Sequence, residues 1–200
     1  MIVSCIDHEV IPAPTPTVEL ISKFTGTING TLTEFNEGVG GYTCSVPNET
    51  NLLSPPAQSS EIFCSEISSA TANPSIKIRL GKISWTGAAQ TDLPLSSFNS
   101  FFTQTSNILP QYKDDCTNGI NIVYRDQNGT IYTSDENSVN FQDATFSNIT
   151  QESDASGDYS KFVCTFNCYV YYSSGPSPAP GLDSVRIQNG QFKGWFRKLI

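Results

Sequence analysis

From about residue 21 onward, apolar and polar positions alternate along the chain with a period of two, the pattern of strands buried on one face. Ile76, Ile78 and Leu80 are separated by Lys77 and Arg79, and Ile120, Ile122 and Tyr124 are separated by Asn121 and Val123. In the run from Phe162 to Tyr172 every even position is apolar or aromatic while the odd positions are mixed. This run predicts one long strand with a single core face.

Asn-Gly dipeptides punctuate the alternation, and between alternating runs they signal hairpins because both residues tolerate the positive φ of a type I′ turn. A two-residue turn at Asn29-Gly30 predicts pairing of Phe24 with Phe35 and of Ile28 with Thr31. The same turn at Asn189-Gly190 predicts pairing of Ile187 with Phe192 and of Val185 with Gly194. Around Asp126-Gln127-Asn128-Gly129 a longer loop is expected, with Gly129 in a bulge between strands at 122–124 and 131–132.

One segment leaves this period. After Pro94, a residue suited to a first helical turn, Leu95, Phe98, Phe101 and Phe102 follow helical spacing and predict a short helix over about 94–103 covering one end of the fold. The stretches 48–60, 150–158 and 173–181 are rich in turn residues, the last expected to bulge out between the two final long strands. No internal repeat emerges. The expected architecture is all-β: one antiparallel β-sandwich, Ig-like or jelly-roll-like, over residues 21–200, with one short helix and an extended tether over residues 1–20.

Composition narrows the function classes. With 11 Lys+Arg against 19 Asp+Glu the net charge is −8, which offers no basic field for nucleic-acid phosphates. Charged residues make up only 15% of the chain, so Ser, Thr, Asn and Gln carry its solubility, as suits an extracellular β-protein. The single histidine, His8, lies in the N-terminal approach, which removes Ser-His-Asp and Cys-His catalysis and histidine metal sites from the body. No cofactor is called for.

Met1-Ile2-Val3-Ser4-Cys5 has the order of a lipobox, two aliphatic residues and a small one before the cysteine that takes the lipid. Ile11-Pro12-Ala13-Pro14-Thr15-Pro16-Thr17 then reads as a semi-rigid extended stalk. Four residues are too few for the charged and apolar regions of a secretory signal, so the lipobox reading expects Met1 to be internal to a longer precursor or the start of a shortened chain. No stretch approaches a membrane span, so the expected membrane attachment is the lipid on Cys5.

With Cys5 lipidated, Cys44, Cys64, Cys116, Cys164 and Cys168 remain, an odd number. Cys164 and Cys168 stand about 13 Å apart along a strand, too far to bond each other. The expected bridges are Cys44 to Cys64 and Cys116 to one of the strand pair; the other reading of Cys164 and Cys168 is as small core residues without a bridge. Carboxylates for sugar hydrolysis exist in Asp114, Asp115, Asp126, Asp135, Glu136 and Asp143, yet all fall in turn-like stretches and no spacing singles out a pair, so they read as solvated loop acids. Tyr169 and Tyr171 on the outer face of the long strand, with Trp195, form the candidate binding patch, since aromatic planes beside amides can stack on sugars or anchor a protein.

The order 24-FTGTING-30, Phe98 to Phe102, 119-GINIVYRDQNG-129, Ala144-Thr145-Phe146, 164-CTFNCYVY-171 and 189-NGQFKGWF-196 resembles the small cell-surface or outer-membrane lipoproteins of Bacteroidetes-type bacteria, most of which have no assigned activity. The resemblance spans most of the body, rests on strand and turn patterns, and transfers no catalytic residue. It implies a lipid anchor at Cys5 and an outer-membrane or cell-surface setting. The function expected is that of a non-enzymatic lipid-anchored binding or structural component of an outer-membrane assembly. The alternatives are a glycan-binding accessory lipoprotein of a nutrient-uptake system and a carboxylate-dependent glycoside hydrolase.

Overall fold

The computed structural model describes residues 17–54, 56–72, 74–86, 92–172 and 184–198. Its strands are β1 (Lys23–Ile28), β2 (Thr31–Asn36), β3 (Tyr42–Ser45), β4 (Glu49–Asn51), β5 (Ser59–Ser69), β6 (Ser75–Trp85), β7 (Gln111–Tyr112), β8 (Gly119–Arg125), β9 (Ile131–Ser134), β10 (Asp143–Asp154), β11 (Gly157–Tyr172) and β12 (Ser184–Lys198). Two short helices, α1 (Leu95–Phe101) and α2 (Thr105–Ile108), lie between β6 and β7. Residues 1–16 of the expected tether, Cys5 among them, and the whole of the 173–181 stretch lie outside the described residues.

All twelve strands belong to one continuous sheet, and every pairing is antiparallel except β7 with β8. The sheet folds over on itself to give a sandwich-like, all-β architecture. One half runs β2-β1-β12-β11-β10 and the other β9-β8-β6-β5, with β3 and β4 both pairing β5. Sixteen residues long, β11 joins the halves: its residues 157–167 pair β10, and its last three, 170–172, pair β9.

Period-two patterning places the core between the halves. Phe162, Phe166 and Val170 of β11 are buried together with Ile76, Ile78 and Leu80 of β6 and Ile120 and Ile122 of β8. A run of phenylalanines fills one end: Phe63 lies 5.1–5.4 Å from the rings of Phe98, Phe101 and Phe102, and Phe102 stacks on Phe196 at 5.3 Å. A seven-residue helix is too short to stand alone, so α1 is held by this burial rather than by its own hydrogen bonds. Where the sequence predicts one helix, the structure adds the single turn of α2, whose buried Asn107 amide donates to the Phe101 carbonyl at 2.6 Å.

The hairpin at Asn29-Gly30 has the expected register, Phe24 opposite Phe35 and Ile28 opposite Thr31. The 126–130 loop also forms as expected, with Gly129 at φ +85° and the Asp126 carboxylate accepting the backbone N–H groups of Asn128 and Thr130. The hairpin at Asn189-Gly190 does not form. Residues 184–198 are one strand, and Ile187 pairs with Ile28 and Cys168, Phe192 with Phe24 and Cys164. At Gln188-Asn189 the strand bulges against both neighbours, with Asn189 at φ +49° and its N–H donated to the Asn167 side chain at 2.8 Å. The bulge inverts the facing of the strand, so odd residues point inward before it and even residues after it. Two stretches expected as turns also hold strand: 48–60 contains β4, and 150–158 carries the ends of β10 and β11 around a tight turn.

Candidate functional site

The outer face of the β2-β1-β12-β11-β10 half carries most of the features that could meet a ligand. Because register aligns side chains into rows across the strands, its character can be read row by row. Thr25, Gln191, Thr165 and Thr145 are successive partners across β1, β12, β11 and β10, an uncharged polar row. On one side the next row carries Lys23, Lys193, Val163 and Ser147. On the other, Asn167 lies beside Asp143, whose carboxylate accepts both the backbone N–H of Asn167 at 2.9 Å and its side-chain amide at 2.8 Å.

Three shallow hollows follow one another along β11 on this face. The first, about 240 Å³, lies over Lys161, Val163 and Lys193, with Glu19 and Ile21 of the N-terminal segment on its rim. A second, about 300 Å³, is lined by Asp143, Thr145, Thr165, Asn167, Asn189 and Gln191. The third, about 330 Å³, shares Asn167 with the second and reaches Tyr169, Arg186 and the exposed ring of Phe141. The Arg186 guanidinium lies over the Tyr169 ring, 5.6 Å from its centroid.

The expected aromatic patch divides. Tyr169 and Tyr171 stand together, half-buried, and the Tyr171 hydroxyl meets the Ser138 hydroxyl at 2.8 Å and accepts the Asn140 amide at 3.0 Å. Trp195 is opposite Lys161, eight residues along β11 from Tyr169 or roughly 26 Å at strand rise. It packs edge-on against the buried Tyr159 at 5.6 Å, and its indole N–H is buried without a partner. The inversion at the Asn189 bulge leaves Trp195 on the outer face but far from the tyrosines; Arg186 and Phe141 take its place beside them.

Neither expected disulfide is present, and Cys44, Cys64, Cys116, Cys164 and Cys168 are all free thiols. Cys44 pairs with Ile67 of β5 and touches Ser65, so it lies on the inward face of that strand, whereas Cys64 points outward. Two residues on opposite faces of one strand region cannot be bridged. Cys164 and Cys168 are inward-facing core residues of β11, and Cys116 packs over the outer face of β6 with its carbonyl beside Gly81. Burial pushes the Cys64 and Cys168 thiols up to about 12 and Cys116 to about 11, so none is a nucleophile at neutral pH.

Cys64 and Cys116 border a polar cluster on the outer face of the other half. Arg79 donates to both Glu49 oxygens at 2.8 and 2.7 Å and to the Asn121 side chain at 3.2 Å, and Asn121 in turn donates to the Ser134 hydroxyl. The Arg79 hydrogen bonds hold the Glu49 carboxyl below the usual range. Every strong donor here is spent within the cluster, which therefore braces β4, β6, β8 and β9 against one another.

Of the candidate acids, Asp114, Asp115 and Glu136 come together around a hollow of about 330 Å³ with Lys113 and Thr117. Their oxygens are engaged in holding the loops: Asp114 accepts the Glu136 N–H, Asp115 accepts the Thr117 N–H and hydroxyl, and Glu136 pairs with Lys113. Asp135 accepts the Asn137 N–H, while Asp126 and Asp143 lie in separate places with the partners given above. Sequence reasoning missed Glu61, a buried carboxyl at one end of the core that accepts the Asn48 amide at 2.6 Å and that burial pushes up to about 7. Its position in an otherwise alternating run carries no sequence signal. Among the described residues no group of three His, Cys, Asp or Glu side chains is placed to hold a metal ion, and no helix is long and apolar enough to cross a membrane. No family model, curated protein or solved structure matches the chain.

Proposed function

We propose that the protein is a non-enzymatic binding component, lipid-anchored through Cys5 and displayed outside the cytoplasm, and that it binds through the outer face of β10, β11 and β12. The observation that carries this reading is the line of three hollows along β11, whose middle presents the exposed or half-buried side chains of Thr145, Thr165, Asn167, Asn189 and Gln191 beside the single carboxylate of Asp143. A rigid sheet supplies such a face in fixed geometry without a moving part, which suits capture better than turnover. The loop acids support the same reading, since the carboxylates that meet around Asp114 are already tied to backbone and side-chain donors. The anchor rests on the lipobox-like order Ile2-Val3-Ser4-Cys5 and the Pro/Thr stalk behind it.

Two measurements test the reading. Intact mass of protein matured from its full precursor should show a diacyl or triacyl addition that Cys5→Ser abolishes, and an unmodified Cys5 would remove the anchor. A photo-crosslinker in place of Thr165, in cells of the native type, should capture a binding partner that the same crosslinker in place of Lys82, on the other half, does not.

A further inference from the structure

The chemistry lining the hollows points past binding in general to a class of ligand. We infer that the groove along β11 holds a linear, neutral polysaccharide lying parallel to the strand, a deepening that rests on the binding reading above. Three features of the groove argue for it together.

The first is composition. The middle hollow presents Thr145, Thr165 and Gln191 as a row of hydroxyl and amide groups, and the one aromatic ring among its lining residues, Phe166, is buried beneath them. Protein interfaces are built around desolvated apolar anchors, so this floor suits a ligand that is itself a ladder of hydroxyls. The second is shape. From Lys161 to Tyr169 the hollows extend roughly 26 Å, so a single sugar would occupy one of them and an extended chain all three.

The third is how the groove is fixed and ended. Asn167 is spent on its neighbours, donating to Asp143 and accepting the Asn189 N–H, so the floor is held rigid while Thr165 and Gln191 remain open to solvent. At one end the Tyr169 ring, backed by Arg186, and the exposed Phe141 ring offer planes for the apolar face of a terminal sugar. The path carries both signs, Lys193 in the first hollow and Arg186 in the third against Glu19 on the rim and Asp143 in the middle, so it offers no continuous basic field for a polyanion. Lys161, at the far end, is already paired with Glu152 at 2.5 Å.

The test is calorimetric titration of the folded protein with cellohexaose, maltohexaose, mannohexaose and xylohexaose, each against its own monosaccharide, with an oligogalacturonate hexamer as the acidic counterpart. At least one neutral hexaose is expected to bind, its monosaccharide to fail, and the affinity to be unchanged from low to high salt. The pair Thr165→Val with Gln191→Ala should abolish binding, and Tyr169→Ala should weaken it roughly three- to tenfold while Tyr169→Phe does not. Both substituted residues of the pair are exposed, and Lys82→Ala on the other half serves as the control that leaves binding intact. Binding of only the acidic hexamer, binding that survives the double substitution, or no binding of any neutral hexaose overturns the inference. A photo-crosslinker in place of Gln191 separates the two levels: capture of a protein without hexaose binding would overturn the glycan assignment and keep the face as a binding surface. Silence in both assays would remove the face as well.

Discussion

Gly26 of β1 and Gly190 of β12 face each other so closely that a β-carbon on Gly26 would stand 3.1 Å from the Gly190 Cα. A β-carbon on Gly190 would in turn lie 2.9 Å from the Phe166 ring, which fills the space the two glycines leave and stacks with Phe24 at 6.2 Å between ring centres. The bulge at Gln188-Asn189 is therefore seated against a ring, and its neighbour must lack a side chain. Gly190→Ala is expected to lower stability by about 1–3 kcal/mol through overpacking, measured by urea unfolding. Asn189→Gly, which keeps the positive φ accessible, should change it by less than about 1 kcal/mol. Equal effects of the two substitutions would contradict this account.

The phenylalanine cluster makes a larger prediction. Phe63 is fully buried and touches rings from α1 and from β12, so Phe63→Ala should cost about 3–5 kcal/mol and loosen α1 along with the end of β12. Hydrogen exchange should show the amides of residues 95–102 losing protection in this variant. Retained protection there would mean that the helix is held by something other than its phenylalanines.

Glu61 gives the fold a pH dependence of definite sign. Burial raises its carboxyl to about 7 in the folded protein, against 4.5 in the open chain, with the Asn48 amide and Lys198 pulling the other way. Between those values the folded state binds more protons than the unfolded one, so stability falls as pH rises from about 4.5 and levels off above about 7. The expected loss is of the order of 3 kcal/mol. Glu61→Gln keeps an acceptor for Asn48 and should flatten this part of the profile while raising stability at pH 8. A variant with an unchanged profile would refute the assignment.

Thiol chemistry tests the cysteine placement. In Cys5→Ser protein, a thiol-reactive disulfide should leave Cys64, Cys116, Cys164 and Cys168 unmodified in the folded state, since all four are buried and protonated. The half-buried Cys44 is the one expected to react, and slowly, because burial raises its thiol too. In denaturant five thiols should titrate. A count of three or one would reveal bridges the structure does not contain.

How far the sequence could reach is shown by its Asn-Gly dipeptides. At Asn29 and at Asn128 the flanking alternation and the turn residues agree, and both loops form where expected. At Asn189 the local pattern is equally good, yet apolar residues that change from odd to even positions arise equally from a reversal of the chain and from one bulged strand. The decision lies with Phe166 and Gly26, which reach Gly190 only in the folded sheet, and with Phe24, which packs against both. The same limit governed the candidate site. Which face a tyrosine occupies is legible from parity, and parity places Tyr169 on the outer face. That Arg186 and Phe141 stand beside it, and that Trp195 does not, follows from the bulge and from the path of the 135–142 loop. The cysteine bridges failed for a related reason, because spacing along the chain does not reveal which side of β5 a residue two strands away will face.

The pairing of β1 with β12 joins one of the earliest described segments to the last. Ile28 meets Ile187, and Phe24 meets Phe192. While the chain is being made, the β1–β2 hairpin can close on itself, but its other edge stays bare until β12, which begins only at Ser184, has emerged. Assembly of this half therefore waits on β12, and a nascent or truncated chain lacking it carries an open strand edge that invites pairing with another copy.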